Sequence, residues 1–300
     1  MATSMVPIVR MARNAMVMVF CAGAVAPAQA QAQGEAQAAI KRGEYLSKTA
    51  GCLGCHTEEK KGALSYAGGR ALKTPFGTFY GPNITPHPNA GIGKWTEADF
   101  IKALRHGKRP DGANYFPAFP FPSFTGMTDS DMRDLWAYLR TLPANAQSSR
   151  PHDVGFPYNL RFAVTFWKWL YFTPGAFTPD PKATPKINRG AYLSTALGHC
   201  GECHTPRNFM GGPRKDRFLA GGKGPEGKDI PNLTPATLKK KWGDKELADF
   251  LSAGITPDGD VPAAAMGEVI TNTTGQLTPA DLAAMIAYLR SLPPIADAAP

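Results

Sequence analysis

The chain has 300 residues, 43% apolar content and a net charge of +9, and this composition is not that of a largely disordered or membrane-embedded protein. The length allows about two domains. Glycine and proline are abundant, with 31 and 28 residues, and strict alternation of apolar and polar residues is rare. We therefore expect short helices joined by long connections, and no large sheet.

The first thirty residues have the pattern of an export signal. Arg10 and Arg13 end a basic start, residues 15–26 are small and apolar, and Ala28-Gln29-Ala30 fits a cleavage site. The apolar run is too short to span a bilayer. We expect residues 1–30 to be a signal peptide that is removed, which would place the mature chain in the periplasm.

Removal of the signal takes Cys21 with it and leaves four cysteines, which form two Cys-x-x-Cys-His pentapeptides. Two thiols at this spacing can form thioether bonds with the two vinyl groups of one haem, and the adjacent histidine reaches the iron. The sequence therefore predicts two covalently attached haem c groups. The predicted attachment residues and proximal iron ligands are Cys52, Cys55 and His56 for the first haem, and Cys200, Cys203 and His204 for the second.

Three other chemistries use paired cysteines. Disulfides are common in exported proteins, and zinc sites use closed sets of four ligands, but neither requires a histidine after each pair. A thioredoxin-like pair belongs beside a strand–helix unit, which the glycine- and proline-rich surroundings do not provide. The repeated histidine therefore favours haem over all three.

An internal repeat divides the mature chain into two similar halves. Six short motifs return in the same order: 42–47 as 189–194, 67–69 as 220–222, 82–85 as 231–234, 94–95 as 241–242, 110–112 as 257–259 and 137–140 as 287–290. The expected organisation is a first domain over residues 35–147, a linker over 148–186 and a second domain over 187–294.

Both halves are predicted to be all-α. Near the end of each half, a helix is expected to begin at Thr128 or Ser130 and at Thr278, because these residues can cap the start of an apolar-faced helix. Shorter helices are expected after Trp95 and Trp242. Their apolar faces are most simply explained as core around a haem.

The linker 148–186 is proline-rich at both ends and aromatic over residues 162–172. This aromatic stretch is too short to span a membrane and is interrupted by Lys168. Two interpretations remain open. The stretch is either a helix packed across both domains, or an aromatic surface for a partner or the membrane interface.

Each half resembles a class I cytochrome c domain, and the mature chain resembles the cytochrome subunits of bacterial periplasmic alcohol, aldehyde and gluconate dehydrogenases. Besides the two pentapeptides, the resemblance is carried by residues 74–77, 82–85, 115–120, 204–208 and 266–269. It implies two tandem class I cytochrome c domains joined by an irregular, aromatic-rich linker. It also implies a dehydrogenase as partner.

The sixth iron ligand differs between the two halves. Met266, expected in a loop of small residues before the last helix, matches the family's ligand position and would give His/Met coordination, which raises the reduction potential. Its alternative role is to fill the core. Counting from the matched Asp-Gly pairs, the first half has Phe119 at the equivalent position, and phenylalanine cannot bind iron.

Met127 is the predicted replacement ligand for the first haem, because it lies just before the last helix of its domain. Against this, it aligns with Leu277, which suggests a core residue. The remaining alternatives are an open iron, or an iron bound by His106 or His87.

The net positive charge gives a less specific indication of binding partners. Without Arg10 and Arg13 the net charge is +7, and a basic surface can steer an acidic redox partner or associate with an anionic membrane. A merely soluble surface explains the same charges. Nucleic acid is not expected as a partner of an exported haem protein.

Two haems without a recognisable catalytic constellation predict a periplasmic electron carrier and not an enzyme. It would pass electrons from a partner dehydrogenase to a downstream carrier or oxidase. The alternative is a dihaem redox enzyme, a peroxidase or a thiosulfate-oxidising cytochrome, that uses a labile sixth site on the first haem.

The first testable prediction concerns processing. The exported protein should begin after Ala30 and carry the added mass of two haems, because the pentapeptides form thioether bonds after export. Intact-mass analysis of the protein from the periplasm measures both. A mass with disulfides and no haem would contradict the haem prediction, and a retained N-terminus would contradict the signal prediction.

Overall fold

The computed structural model describes Met1 and residues 25–224, 227–259, 262 and 264–297. The chain divides into two units, Met1–Gln37 and Ala38–Pro300. In the first unit, residues 25–37 are helical, and residues 30–37 are exposed. The predicted signal segment 1–30 lies mostly outside the described residues, so its removal stays a prediction.

The described chain is mostly helical, as the predicted all-α class requires. The helices are α1 Val25–Thr49, α2 Cys52–His56, α3 Glu97–His106, α4 Phe121–Phe124, α5 Asp129–Leu139, α6 Ala163–Tyr171, α7 Pro185–Tyr192, α8 Gly201–His204, α9 Pro235–Lys241, α10 Asp244–Ala253, α11 Ala264–Asn272 and α12 Pro279–Ser291. A π-helical turn, Leu193–Leu197, follows α7, and short 3₁₀ turns cover Lys215–Arg217 and Thr274–Gln276.

Two small antiparallel sheets supplement the helices. Their strands are β1 Ala71–Thr74, β2 Gly77–Tyr80, β3 Asp153–Val154, β4 Gly222–Lys223 and β5 Asp229–Ile230. Strand β2 pairs with β1 on one side and with β3 on the other, and β4 pairs with β5. Because β3 belongs to the predicted linker, this pairing attaches the start of the linker to the first domain.

The helix starts predicted from capping residues are confirmed. Thr128 and Thr278 accept hydrogen bonds from backbone N–H groups in the first turns of α5 and α12. Such caps satisfy donors that have no partner within the helix. Thr128, and not Ser130, is therefore the cap in the first domain. The helices predicted after Trp95 and Trp242 are α3 and α10, the latter preceded by α9.

The first and last helices of each domain cross at a glycine. A Cβ atom on Gly43 would collide with the carbonyl oxygen of Asp134 in α5, and one on Gly190 would collide with that of Ala284 in α12. Only glycine permits this close approach. The repeated Arg-Gly-x-Tyr-Leu-Ser motif is therefore the crossing point of two helices.

The two domains contact each other through equivalent tyrosines. Tyr45 of the first domain donates to Asp281 Oδ2 at 2.7 Å, at the start of α12 in the second domain. Tyr192 of the second domain donates to Asp131, and its oxygen accepts from Thr128 N at 3.1 Å, at the start of α5. The pattern is reciprocal, so the domains are related by a pseudo-two-fold axis.

Helix α6 of the linker packs across both domains, which is the first of the two interpretations. Lys168 Nζ donates to the carbonyl of Gly107 at 2.8 Å, and Trp167 Nε1 donates to that of Met210 at 3.2 Å. The outer side of α6 also carries aromatic rings, since Phe166 and Trp169 are 56% and 77% exposed. Features of both interpretations are thus present in one helix.

Substitution of the crossing glycine in the second domain tests this packing. Gly190→Ala should lower the free energy of unfolding by about 1–3 kcal/mol, as overpacking does, because α7 and α12 must separate to admit the methyl group. Chemical denaturation of the holoprotein measures the change. The matched control is Gly34→Ala in α1, where nothing lies within 4 Å of the added atom. Equal stability of both variants would contradict the close approach.

Candidate functional site

The two Cys-x-x-Cys-His motifs form short helical turns, α2 and α8. A helical turn brings residues three and four positions apart onto one side, so the two thiols and the histidine of each motif lie close together. No disulfide joins any of these four cysteines. The residues just before the motifs, Gly51 and His199, both have left-handed backbone conformations, with φ of 64° and 38°.

The two histidines predicted as proximal ligands have the same hydrogen bond. Nδ1 of His56 lies 2.7 Å from the carbonyl oxygen of Pro82, and Nδ1 of His204 lies 2.7 Å from that of Pro231. A carbonyl only accepts, so Nδ1 carries the proton and Nε2 has the free lone pair. This is the tautomer that a histidine needs in order to bind a metal through Nε2.

The proline carbonyls are held by the asparagine that follows each of them. Asn83 Oδ1 accepts from Thr85 N at 2.9 Å, and its amide donates to Asn145 O at 2.9 Å. In the second domain, the amide of Asn232 donates to Ile295 O at 2.7 Å. The repeated Pro-Asn-x-Thr motif is therefore a fixed loop that orients the proximal histidine.

The partly buried setting of the two motifs shifts the pKa of their side chains. It raises the pKa of Cys52 and of Cys200 to about 12 and that of Cys55 to about 11. A thioether sulfur is uncharged, so its burial carries no such penalty. Among the described residues, no cluster of three or more His, Cys, Asp or Glu could hold a metal ion.

The proximal histidines are also held neutral. Burial lowers the pKa of His56 and of His204, although the hydrogen bond to the proline carbonyl opposes the shift. A metal-binding imidazole must be neutral. Thiols, histidine tautomers and protonation states therefore all fit haem c.

The cytochrome c family model matches residues 40–143 and 187–293. These two ranges contain one pentapeptide each, with its proximal histidine and the helix crossing described above. The chain belongs to the cytochrome c family, and it carries two covalently bound haem c groups.

Individual relatives make the similarity more specific. A protein described as "Diheme cytochrome c-type" from Cereibacter sphaeroides is 44% identical over 258 residues, which are 85% of this chain and 86% of the relative. The cytochrome c subunit of alcohol dehydrogenase (quinone) from Gluconacetobacter polyoxogenes is 39% identical over 271 residues, covering 86% and 57%. The fructose dehydrogenase cytochrome subunit of Gluconobacter japonicus is 39% identical over 268 residues, covering 86% and 53%. The chain thus spans little more than half the length of these two dehydrogenase subunits.

Met266 lies within helix α11 and not in a loop, so the predicted loop was wrong. The physical reason is the run of alanines before it, since alanine is the residue most favourable to helix formation. The side chain is partly buried and packs against the hydrophobic core. Its role as sixth ligand of the second iron stays a prediction.

In the first domain, Phe119 and Met127 have different surroundings. Phe119 is partly buried, and its ring lies 5.2 Å from that of Tyr115 and 5.7 Å from that of Phe124. Met127 is fully buried, with 0% exposure, and belongs to the hydrophobic core. Its carbonyl accepts from Arg105 Nη2 at 2.7 Å. These are the surroundings of a packing residue, and its role as an iron ligand stays a prediction.

The structure also shows the surroundings of His87 and His106, the alternative ligands of the first iron. Nδ1 of His87 accepts from the backbone N–H of Ala90 at 3.0 Å, so Nε2 holds the proton and is not free to bind a metal. His106 is exposed at the end of α3, and burial lowers its pKa, followed by the charge of Arg105. The tautomer of His87 is thus the reverse of that in the proximal histidines.

Sequence reasoning missed the residues that join the domains. Tyr45 and Tyr192 both lie in the repeated Arg-Gly-x-Tyr-Leu-Ser motif. The motif does not reveal their interdomain hydrogen bonds, because their partners lie in the other half of the chain. His199 had a signal that could have been used. It occupies the position that the first half fills with Gly51, and a mismatch beside a repeated motif marks a residue with a separate role.

Substitution of Met127 separates ligation from packing. If Met127 binds the first iron, Met127→Leu should remove one of two methionine–iron charge-transfer signals and leave the Met266 signal, because leucine keeps the apolar volume but has no donor atom. Near-infrared spectra of the oxidised protein measure these signals. Met132→Leu is the matched control, since Met132 is equally buried. An unchanged spectrum in both variants would assign Met127 to packing alone.

Proposed function

We propose that this protein is a periplasmic electron carrier. It receives electrons from a partner dehydrogenase and passes them through both haems to a downstream carrier or oxidase. The observation that carries the proposal is the direct contact between two cytochrome c domains at their haem-attachment motifs. Haem c supplies the one-electron change of iron valence when bound, and the residues of the chain hold and orient it.

The contact between the motifs supports serial transfer. In the first domain, a Cβ atom on Gly54, inside the first pentapeptide, would lie 3.3 Å from Glu268 Oε1 and 3.5 Å from Asn272 Nδ2, both in α11 of the second domain. At the equivalent place, Ser123 of α4 donates to Glu202 Oε1, inside the second pentapeptide, at 2.9 Å. Each domain thus covers the pentapeptide of the other.

An ion pair strengthens the same contact. Arg70 of the first domain lies 2.6 Å from Glu268 of the second and 2.8 Å from Glu59 of the first. The side chains of Arg70 and Glu268 are mostly buried, at 18% and 31% exposure. A pair that is shielded from water is screened less by salt than an exposed one, so this contact helps to keep the domains together.

The relatives indicate the kind of donor. Two of them are named as cytochrome subunits, one of an alcohol dehydrogenase and one of a fructose dehydrogenase. Such a dehydrogenase oxidises a small organic substrate by two electrons, whereas each haem accepts one. Two haems in one chain are therefore suited to take both electrons of one turnover.

Location and membrane contact belong to the same proposal. The predicted signal peptide supports export to the periplasm. None of the helices in the described part of the chain is both apolar and long enough to cross a bilayer. We propose that contact with a membrane comes from the basic surface, from the exposed rings of α6 or through the partner dehydrogenase.

A dihaem redox enzyme, such as a peroxidase or a thiosulfate-oxidising cytochrome, is the second candidate. It is favoured by one observation, Phe119 in the sixth-ligand position of the first domain. An iron without a sixth protein ligand can bind small molecules. The proposal of an electron carrier without its own catalytic activity therefore needs a direct comparison with this alternative.

The comparison uses the purified dihaem protein in two assays. Mixed with the catalytic subunit of a quinone-dependent alcohol dehydrogenase and ethanol, or a fructose dehydrogenase and fructose, it should show reduction of both haems in the visible spectrum. Without a dehydrogenase, it should not turn over peroxide or thiosulfate in the steady state, because no catalytic constellation is recognisable in the sequence. Rapid peroxide or thiosulfate turnover by the isolated protein would contradict the carrier function.

A further inference from the structure

His199 has a backbone conformation that suits glycine better. Its φ is 38°, in the left-handed region, which non-glycine residues adopt only at a cost in free energy. The equivalent residue in the first domain is Gly51, with φ of 64°. Glycine would adopt this backbone conformation at least as easily, so the backbone does not explain why residue 199 is a histidine.

The imidazole of His199 contacts the first domain. Its Nε2 atom would lie 3.9 Å from a Cβ atom on Gly51, and it interacts with the backbone of Ala50. The ring also meets Phe124 edge-on, with centroids 5.5 Å apart and an angle of 80°. The side chain thus joins the segment before one pentapeptide to the segment before the other.

The proximity of Gly51 and His199 has a geometric cause. They are equivalent positions of the repeat, and equivalent positions come close to each other only near the pseudo-two-fold axis that relates the domains. Two histidines there would compete for one space. The space at Gly51 is already narrow, since a Cβ atom would lie 3.0 Å from Thr273 Oγ1. Because the residue on one side is Gly51, the side chain of His199 alone occupies the space near the axis.

Each residue of this pair precedes a haem-attachment cysteine, Cys52 after Gly51 and Cys200 after His199. A change of spacing between Gly51 and His199 therefore moves the two thioether attachments relative to each other. Electron transfer between two redox groups weakens steeply with their separation. The distance between Gly51 and His199 at the axis would consequently affect the rate of electron transfer between the two haems.

We propose that His199 is a positioning residue, whose imidazole fills the pseudo-two-fold axis between the two haem-attachment segments and sets the spacing and orientation of the haems. In the transfer concerned, one iron loses an electron and the other gains it, so no further reactant is needed. The inference rests on the proposed route through both haems, but the geometry that it assigns does not depend on the identity of the donor.

The test uses the holoprotein with His199→Gly, which introduces the residue that the repeat itself has at this position. We expect unchanged haem content and unchanged methionine–iron signals. We also expect altered magnetic coupling between the two ferric haems in electron paramagnetic resonance spectra. Intramolecular electron equilibration after photoreduction of one haem should slow several-fold. A merely structural role would not give this combination.

Two further variants complete the experiment. His199→Asn keeps a residue that tolerates the left-handed conformation but shortens the side chain, so it should act in the same direction as His199→Gly. His152→Gln is the matched control, because the described ring contacts of His152 are with Phe79 and Phe116 of the first domain, and it should leave coupling and rate unchanged.

Two outcomes would overturn the inference. The first is unchanged magnetic coupling and unchanged equilibration in both His199 variants. The second is loss of haem in both, which would make His199 a haem-retention residue. Neither measurement uses a dehydrogenase, so a failure of the proposed donor would appear only in the reduction assay with alcohol or fructose dehydrogenase.

Discussion

The hydrogen bond from each proximal histidine to a proline carbonyl is the constraint on which the rest of the site depends. It selects the tautomer of His56 and His204 and fixes the ring against a loop that Asn83 and Asn232 brace. The pentapeptide alone supplies thiols and an imidazole, but not an orientation. The separation of histidine and proline is similar in the two halves, 26 residues in the first and 27 in the second. It follows from this requirement, since the loop must return to the histidine that it orients.

Much of this architecture could be predicted from the sequence, because the decisive signals are local. The pentapeptides, the caps at Thr128 and Thr278 and the order of the repeated motifs each lie within a few residues. The prediction of a loop at Met266 was wrong because the small residues before it are alanines, which favour a helix. The interdomain contacts were not predictable, since Tyr45 and Asp281 are far apart in sequence and the repeated motif that contains Tyr45 does not show what the tyrosine binds.

The two halves keep the same predicted proximal residues and differ at the predicted distal position. Pro82 and Pro231 perform identical tasks, whereas Met266 and Phe119 cannot. A duplicated domain can vary the predicted distal residue and keep the haem-attachment residues, because the two lie in separate segments of each half. The potentials of the two haems can therefore be set independently while the scaffold stays common to both.

The reciprocal tyrosine contacts have an implication for the origin of the chain. Each domain carries both halves of the contact, a tyrosine in its first helical region and a capped acidic turn at the start of its last helix. A single domain of this kind has the surface required to associate with an identical copy of itself. Fusion of two copies makes that association intramolecular. The two fused domains can then carry different residues at equivalent positions near the symmetry axis, whereas two identical chains would have the same residue at both.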